Sequence, residues 1–267
     1  MMIPELVEAW RQTRPEEGSV LGKKASLSRA RELEPFAAVT EKDSLFGPIR
    51  FETYSVFTRS NFTLVRHGET EWNLSGRWQG HADAPLTERG EAQARALGER
   101  FKEEFFDACY TSDLGRSMHT TELILGPSGM SFETDERLRE RDLGVMQGLT
   151  TQEMLERCPD VFDSFRNAGP DFVVPEGESF RQFHERCVEA LEDYAERHAG
   201  GRVLLVTHGG VLGAILRYVT CIPLEAPRRY VLLNGSVNVV DNIGGHWNML
   251  QWGDVSHLRD MESLDDE

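Results

Sequence analysis

The sequence predicts an α/β fold: a three-layer sandwich in which a mainly parallel central sheet is flanked by helices on both faces. Short apolar runs typical of buried strands alternate along the chain with longer segments in which apolar residues recur at helical spacing. Crossover helices between such strands make the sheet mainly parallel and cover both of its faces. At 267 residues the chain is long enough for one large domain with an appendage.

The elements follow in order along the chain. Strands are predicted at 62–66, 108–111, 203–207, 230–233, 237–242 and 246–252, and helices at 87–104, 114–125, 151–157, 179–198 and 211–218. Thr87 and Ser179 are good N-cap residues for the first and fourth of these helices. Ligands of parallel sheets bind beyond the carboxyl ends of the strands, so functional residues are expected there.

Composition limits the function classes. The net charge of −16 argues against a nucleic acid or an anionic membrane as a partner, because both require basic patches. Four scattered cysteines (Cys109, Cys158, Cys187 and Cys221) indicate free thiols in a reducing compartment, and they form no metal-ligand cluster. No apolar run suggests a membrane span or a signal peptide. A cytoplasmic protein is expected, with an organellar address in the first sixty residues as the alternative.

The two ends of the chain differ from its middle. Residues 1–60 contain large apolar side chains, among them Trp10, Phe36, Phe46 and Phe57, which rarely stay in water. We therefore expect an extension packed on the main domain, although a regulatory or targeting arm is the alternative. Residues 259–267 are expected to form an acidic tail.

Two junctions between a strand and a His-Gly pair are the main functional signal. Residues 64–70 read LVRHGET, and residues 203–210 read VLLVTHGG. Each places a histidine where an apolar strand ends, so His67 and His208 are predicted to share one end of the sheet. A neutral imidazole is a nucleophile near pH 7, and the guanidinium of Arg66 can bind phosphate oxygens. Gly68 is expected to permit a tight backbone turn.

These residues belong to five blocks that resemble the histidine phosphatase superfamily, also called the phosphoglycerate mutase-like family. The blocks are LVRHGETEWN (64–73), RWQG (77–80), TSDLGRSMHTTE (111–122), RLRERDLGVMQG (137–148) and THGGV (207–211). The resemblance implies a phosphoglycerate mutase-like sandwich and a catalytic domain over 61–258. The resemblance is strongest to small members of the family that are often phosphatases.

The resemblance implies roles for individual residues. His67 would be the nucleophile, Arg66 and Arg116 would hold the phosphoryl oxygens, and His208 would donate to the same oxygens. Glu140, in the matching Leu-x-Glu-Arg register, would protonate the leaving group, although several neighbouring acids leave an exposed surface carboxylate as the alternative. Expected substrate-binding residues are Asn73, Gln79, Gly80, Arg141 and Gly209.

The expected reaction has two steps, transfer of a phosphoryl group to His67 and hydrolysis of the phosphohistidine. The guanidiniums and imidazoles supply the positive charge, so no metal or cofactor is expected. The expected partner is a small phosphorylated metabolite, bound by a monomer or a homodimer. Two features favour a phosphatase over a cofactor-dependent phosphoglycerate mutase: Gly210 follows Gly209 where the mutases have Gly-Asn, and Thr151 stands in place of a lysine.

A mutase would also need paired arginines for the substrate carboxylate, for which Arg157 and Arg166 are partial substitutes, and Arg141 is a mutase-like feature. A phosphoglycerate mutase is therefore the alternative, and a non-catalytic phospho-ligand binding protein is the remote one. The aromatic residues Trp78, Phe162, Phe165, Phe172 and Phe180 are interpreted mostly as core.

Overall fold

A computed structural model describes residues 58–126 and 128–259 of the chain. The predictions for the first 57 residues and for 260–267 lie outside the described residues. Within the described part, no helix is long and apolar enough to cross a membrane.

Within residues 58–126 and 128–259, six strands form one sheet in the order β3-β2-β4-β1-β5-β6. The strands are β1 (Arg59–Arg66), β2 (Ala108–Thr111), β3 (Glu133–Thr134), β4 (Arg202–Thr207), β5 (Val237–Ile243) and β6 (His246–Asp254). Strands β1 to β4 are parallel, whereas β5 and β6 form an antiparallel hairpin at one edge. Because β1 and β4 are neighbours with Arg66 opposite Thr207, the two His-Gly junctions emerge side by side.

In the described part of the chain, seven α-helices accompany the sheet. They are α1 (Glu71–Leu74), α2 (Glu88–Phe101), α3 (Gly115–Leu125), α4 (Thr151–Arg157), α5 (Pro159–Asn167), α6 (Phe180–Arg197) and α7 (Gly209–Val219). Thr87 caps α2 by accepting a hydrogen bond from the amide of Gly90, and Ser179 caps α6 through a reciprocal pair with Gln182.

The core has two main layers because the central strands are buried on both faces. Phe62 and Leu64 of β1 pack with α6 and α7, while Val65 packs with α2 and α3 on the other face. A third cluster joins Met146, Met154 and Phe162 with Trp78, Phe165 and Phe172 at its margin. We call the region of this third cluster, residues 143–174, the cap.

One predicted strand is absent, and one observed strand was not predicted. Residues 230–233 form no strand, because the carbonyl oxygen of Leu232 accepts the Arg66 guanidinium and Val231 faces solvent. The two-residue strand β3, whose Glu133 and Thr134 are both exposed, has no apolar signal in the sequence. The mainly parallel sandwich is as predicted, whereas the helices α1 and α5 were not predicted.

Candidate active site

His67 lies immediately after β1 and is almost completely buried, with 3% of its surface exposed. Its Nδ1 donates a hydrogen bond to the carbonyl oxygen of Gly68 at 2.7 Å, which fixes the tautomer and the ring plane. Burial, reinforced by Arg116 and Arg66, holds the pKa of His67 well below its usual value. The ring is therefore neutral at pH 7, and no hydrogen bond from the described residues reaches its Nε2.

His208 is the N-cap residue of α7 and is fully buried. Its Nδ1 accepts a hydrogen bond from Nε of Arg116 at 3.2 Å, so its Nε2 carries the proton and lies 3.3 Å from the hydroxyl of Ser117. Burial and the neighbouring Arg116 also lower the pKa of His208 well below the usual value. The two imidazole rings meet edge to face with centroids 5.2 Å apart.

The two arginines are held rigidly. A guanidinium N–H of Arg66 donates to the carbonyl oxygen of Leu232. Arg116 is 2% exposed and donates to the carbonyl oxygens of Gly80 at 2.7 Å and Ala82 at 2.9 Å, and to Oδ1 of Asp83 at 2.9 Å. Fixed, buried guanidiniums are suited to stabilising phosphoryl charge because they need no reorganisation during the reaction.

Glu140 lies in the loop after β3, and its carboxylate sits over the start of α7. Oε2 accepts the Gly210 amide at 2.9 Å, and Oε1 accepts the Arg141 amide at 2.8 Å. A Cβ atom at position 210 would approach Oε1 of Glu140 to 2.0 Å, so a larger residue here would displace the Glu140 carboxylate. The His-Gly-Gly sequence of the second junction thus leaves room for Glu140.

Of the five expected binding residues, three lie next to His67 or to one of the two buried arginines. Asn73 accepts Nδ2 of Asn234 at 3.3 Å, and the same amide donates to the carbonyl oxygen of His67 at 3.1 Å. The carbonyl of Gly80, a residue with φ of 59°, receives the Arg116 guanidinium. A Cβ on Gly209 would lie 3.4 Å from Nε of Arg66.

The other two expected binding residues are placed differently. Gln79 is buried, and its Oε1 finds no hydrogen-bond partner among the described residues. Arg141 donates to the carbonyl oxygen of Glu178 and stacks on the ring of Phe165 at 4.7 Å, with a pKa lowered to about 10 by burial. Arg141 therefore joins the margin of the cap and makes no hydrogen bond to either histidine within the described residues.

Sequence reasoning did not identify three supporting residues. Thr120 accepts the Gly68 amide at 3.1 Å and Ser117 contacts His208. Asn234 holds the carbonyl of His67. Thr120 lies four residues after Arg116 on α3, so helical spacing was a usable signal for it. Asn234-Gly235 signals a turn, but nothing in it indicates contact with His67.

The described residues contain no grouping of three His, Cys, Asp or Glu side chains that could hold a metal ion. The fixed positive charge in the described site comes from Arg66 and Arg116, because both imidazoles are neutral.

Comparison with known proteins places this site in context. Residues 62–255 match the family model described as histidine phosphatase superfamily (branch 1). The metal-independent phosphoserine phosphatase of Arabidopsis thaliana is 43% identical over 203 residues, covering 74% of this chain and 83% of that protein. The probable phosphoglycerate mutase GpmB of Klebsiella pneumoniae is 40% identical over 208 residues, covering 76% and 96%.

The solved structure of Bacillus stearothermophilus YhfR superimposes with a TM-score of 0.68 at 38% identity, covering 75% of this chain and all of that one. The resemblance and the fold class expected from the sequence are thereby confirmed.

Proposed function

Since this chain belongs to the histidine phosphatase superfamily, we propose that it is a metal-independent phosphomonoesterase that hydrolyses a small phosphorylated metabolite through a phosphohistidine at His67. The observation that carries this proposal is the state of the His67 ring. It is neutral, its Nδ1 is committed to the Gly68 carbonyl, and two guanidiniums lie beside it. A ring in that state offers the lone pair of Nε2 to an electrophile.

In the first step Nε2 of His67 attacks phosphorus and the bond to the leaving oxygen breaks. Arg66 and Arg116 stabilise the charge on the transferring oxygens. Protonated Glu140 gives its proton to the leaving oxygen, which departs as an alcohol. The backbone amides of Gly210 and Arg141 orient that carboxyl group.

In the second step a water molecule attacks the phosphohistidine. Glu140, now a carboxylate, takes a proton from that water, and inorganic phosphate leaves with the phosphorus–Nε2 bond broken. The acid of the first step is thus restored as the base of the second.

The names of the relatives support a phosphatase, with a phosphoglycerate mutase as the alternative. One is named as a metal-independent phosphoserine phosphatase, and the other as a probable phosphoglycerate mutase. The two arginines considered as substitutes for a mutase carboxylate site have other contacts. Arg157 is largely exposed and pairs with Glu153, and Arg166 stacks over Phe162. This arrangement favours hydrolysis, while Arg141 is the feature that favours the mutase.

The proposal is tested by measuring phosphate release from a panel of phosphorylated amino acids, sugars and glycerates in the presence of EDTA. We expect release from at least one of them, with His67→Ala as the inactive blank. Interconversion of 2- and 3-phosphoglycerate without phosphate release would identify a mutase. Binding of the same compounds without any turnover would identify a phospho-ligand binding protein, and both outcomes would overturn the proposal.

A further inference from the structure

Arg186 lies on α6, and its guanidinium makes all of its hydrogen bonds to residues outside that helix. Its guanidinium donates to three backbone carbonyl oxygens in residues 137–140: those of Arg137 at 2.9 Å, Arg139 at 2.8 Å and Glu140 at 2.9 Å. The remaining N–H groups grip the Glu178 carboxylate, at 2.6 Å to Oε1 and 3.1 Å to Oε2. One side chain therefore holds the loop that carries Glu140.

Glu178 extends the same clamp. Its Oε1 also accepts the Asp142 amide at 2.8 Å, and its own carbonyl oxygen accepts the Arg141 guanidinium at 3.2 Å. The loop is therefore fixed on both sides of Glu140. Both side chains of the clamp are mostly buried, with 20% of Arg186 and 16% of Glu178 exposed, so solvent screens the pair little.

We infer that Arg186, clamped by Glu178, is a positioning residue that sets the carboxyl group of Glu140 for proton transfer to the leaving oxygen. This inference rests on the proposed function. A general acid must be within hydrogen-bond reach of the atom it protonates, so a shift of its backbone weakens proton transfer selectively. The planar fork of arginine supplies all five hydrogen bonds, which a lysine cannot reproduce.

Leaving groups of different acidity separate this role from general support of the fold. An alkoxide needs a proton as it departs, whereas p-nitrophenolate does not. We expect Arg186→Lys to lower kcat/KM for alkyl phosphates by roughly 10²-fold, within the range for general acid catalysis. For p-nitrophenyl phosphate we expect kcat/KM to change less than about 5-fold, because proton transfer to this leaving group contributes little.

Two further variants make the test decisive. In a Glu140→Gln background, Arg186→Lys should cause no further loss on alkyl phosphates, because both changes disable the same proton transfer. Glu178→Gln keeps the three carbonyl contacts of Arg186 and should produce a smaller loss with the same leaving-group dependence. If Arg186 variants fail to fold, the leaving-group dependence of Glu178→Gln tests the inference in their place. Arg181→Gln is the matched control. Arg181 also lies on α6 and forms a similar pair of hydrogen bonds with the Asp171 carboxylate, but this pair is exposed to solvent.

Equal losses on alkyl and p-nitrophenyl phosphates, with melting temperature unchanged, would overturn the inference. Additive losses with Glu140→Gln would overturn it as well, as would activity of Arg186→Lys equal to that of the unmodified chain. Failure of the proposed function would look different, because then the unmodified chain would release no phosphate from either class of ester.

Discussion

The two His-Gly junctions look alike in sequence but hold their histidines in different ways. At the first, the ring of His67 is fixed by the backbone carbonyl of the next residue, Gly68. At the second, His208 is fixed by side chains of α3, with Arg116 on one ring nitrogen and Ser117 on the other. The free ring nitrogen therefore decides the role of each histidine: His67 has Nε2 available for attack, while both nitrogens of His208 contact protein groups.

The largest expected effect is on activity. His67→Ala should lower kcat/KM by roughly 10⁴-fold or more, because it removes the nucleophile. His208→Ala should lower it by roughly 10²-fold, because it removes the acceptor that orients Nε of Arg116. Steady-state kinetics on the best substrate measures both, with His246→Ala at the exposed start of β6 as the control. Equal losses at both histidines would contradict the assigned difference.

The glycines after the two histidines should differ next. A Cβ on Gly68 would lie 2.4 Å from the carbonyl oxygen of Gly90, a backbone atom in the first turn of α2. Gly68 is therefore required by close packing, whereas the sequence suggested a tight turn; its φ is not positive. We expect Gly68→Ala to lower the free energy of unfolding by about 3 kcal/mol.

Gly209→Ala should cost less than about 1 kcal/mol, because its Cβ would make an ordinary contact with Arg66. Urea unfolding measures both variants. A larger loss of unfolding free energy at Gly209 than at Gly68 would contradict the closer packing of Gly68.

The sequence predicted the central strands and the shared position of the two histidines, because both depend on which strands are buried and how they are connected. Residues 203–206 are apolar because both faces of β4 are covered. Since β1 and β4 are parallel neighbours, His67 and His208 follow them at the same end of the sheet. The sequence could not predict contacts set by tertiary packing, such as Ser117 with His208 across 91 residues, or Asn234 with His67 across 167. Single polar side chains without a periodic pattern carry no such signal.

Those supporting contacts give a smaller, sharper test. Thr120→Val leaves the buried Gly68 amide without its acceptor and should cost about 1 to 2 kcal/mol of unfolding free energy. Thr121→Val is the matched control, since Thr121 is equally buried on α3 but only donates to the Ser117 carbonyl. Thermal or urea unfolding compares the two. If Thr121→Val were as costly as Thr120→Val, the Gly68 contact would not be what matters.

The pH dependence of stability gives the smallest expected effect. Both histidines have a lowered pKa in the folded chain, so the unfolded chain binds their protons first as the pH falls below about 6.5. Stability is complete above that pH and falls below it. Each histidine should contribute about 1 kcal/mol between pH 6.5 and 5.5, where its unfolded form takes up a proton. His208→Ala should therefore show a shallower loss between pH 6.5 and 5.5, and an unchanged slope would contradict a neutral buried ring.

The most direct test of the account identifies which nitrogen accepts phosphorus. The enzyme is quenched in alkali during turnover of p-nitrophenyl phosphate, and the phosphorylated residue and its isomer are determined by mass spectrometry and phosphorus NMR. We predict phosphate on Nε2 of His67 alone. Phosphate on Nδ1 of His67 or on either nitrogen of His208 would contradict the account.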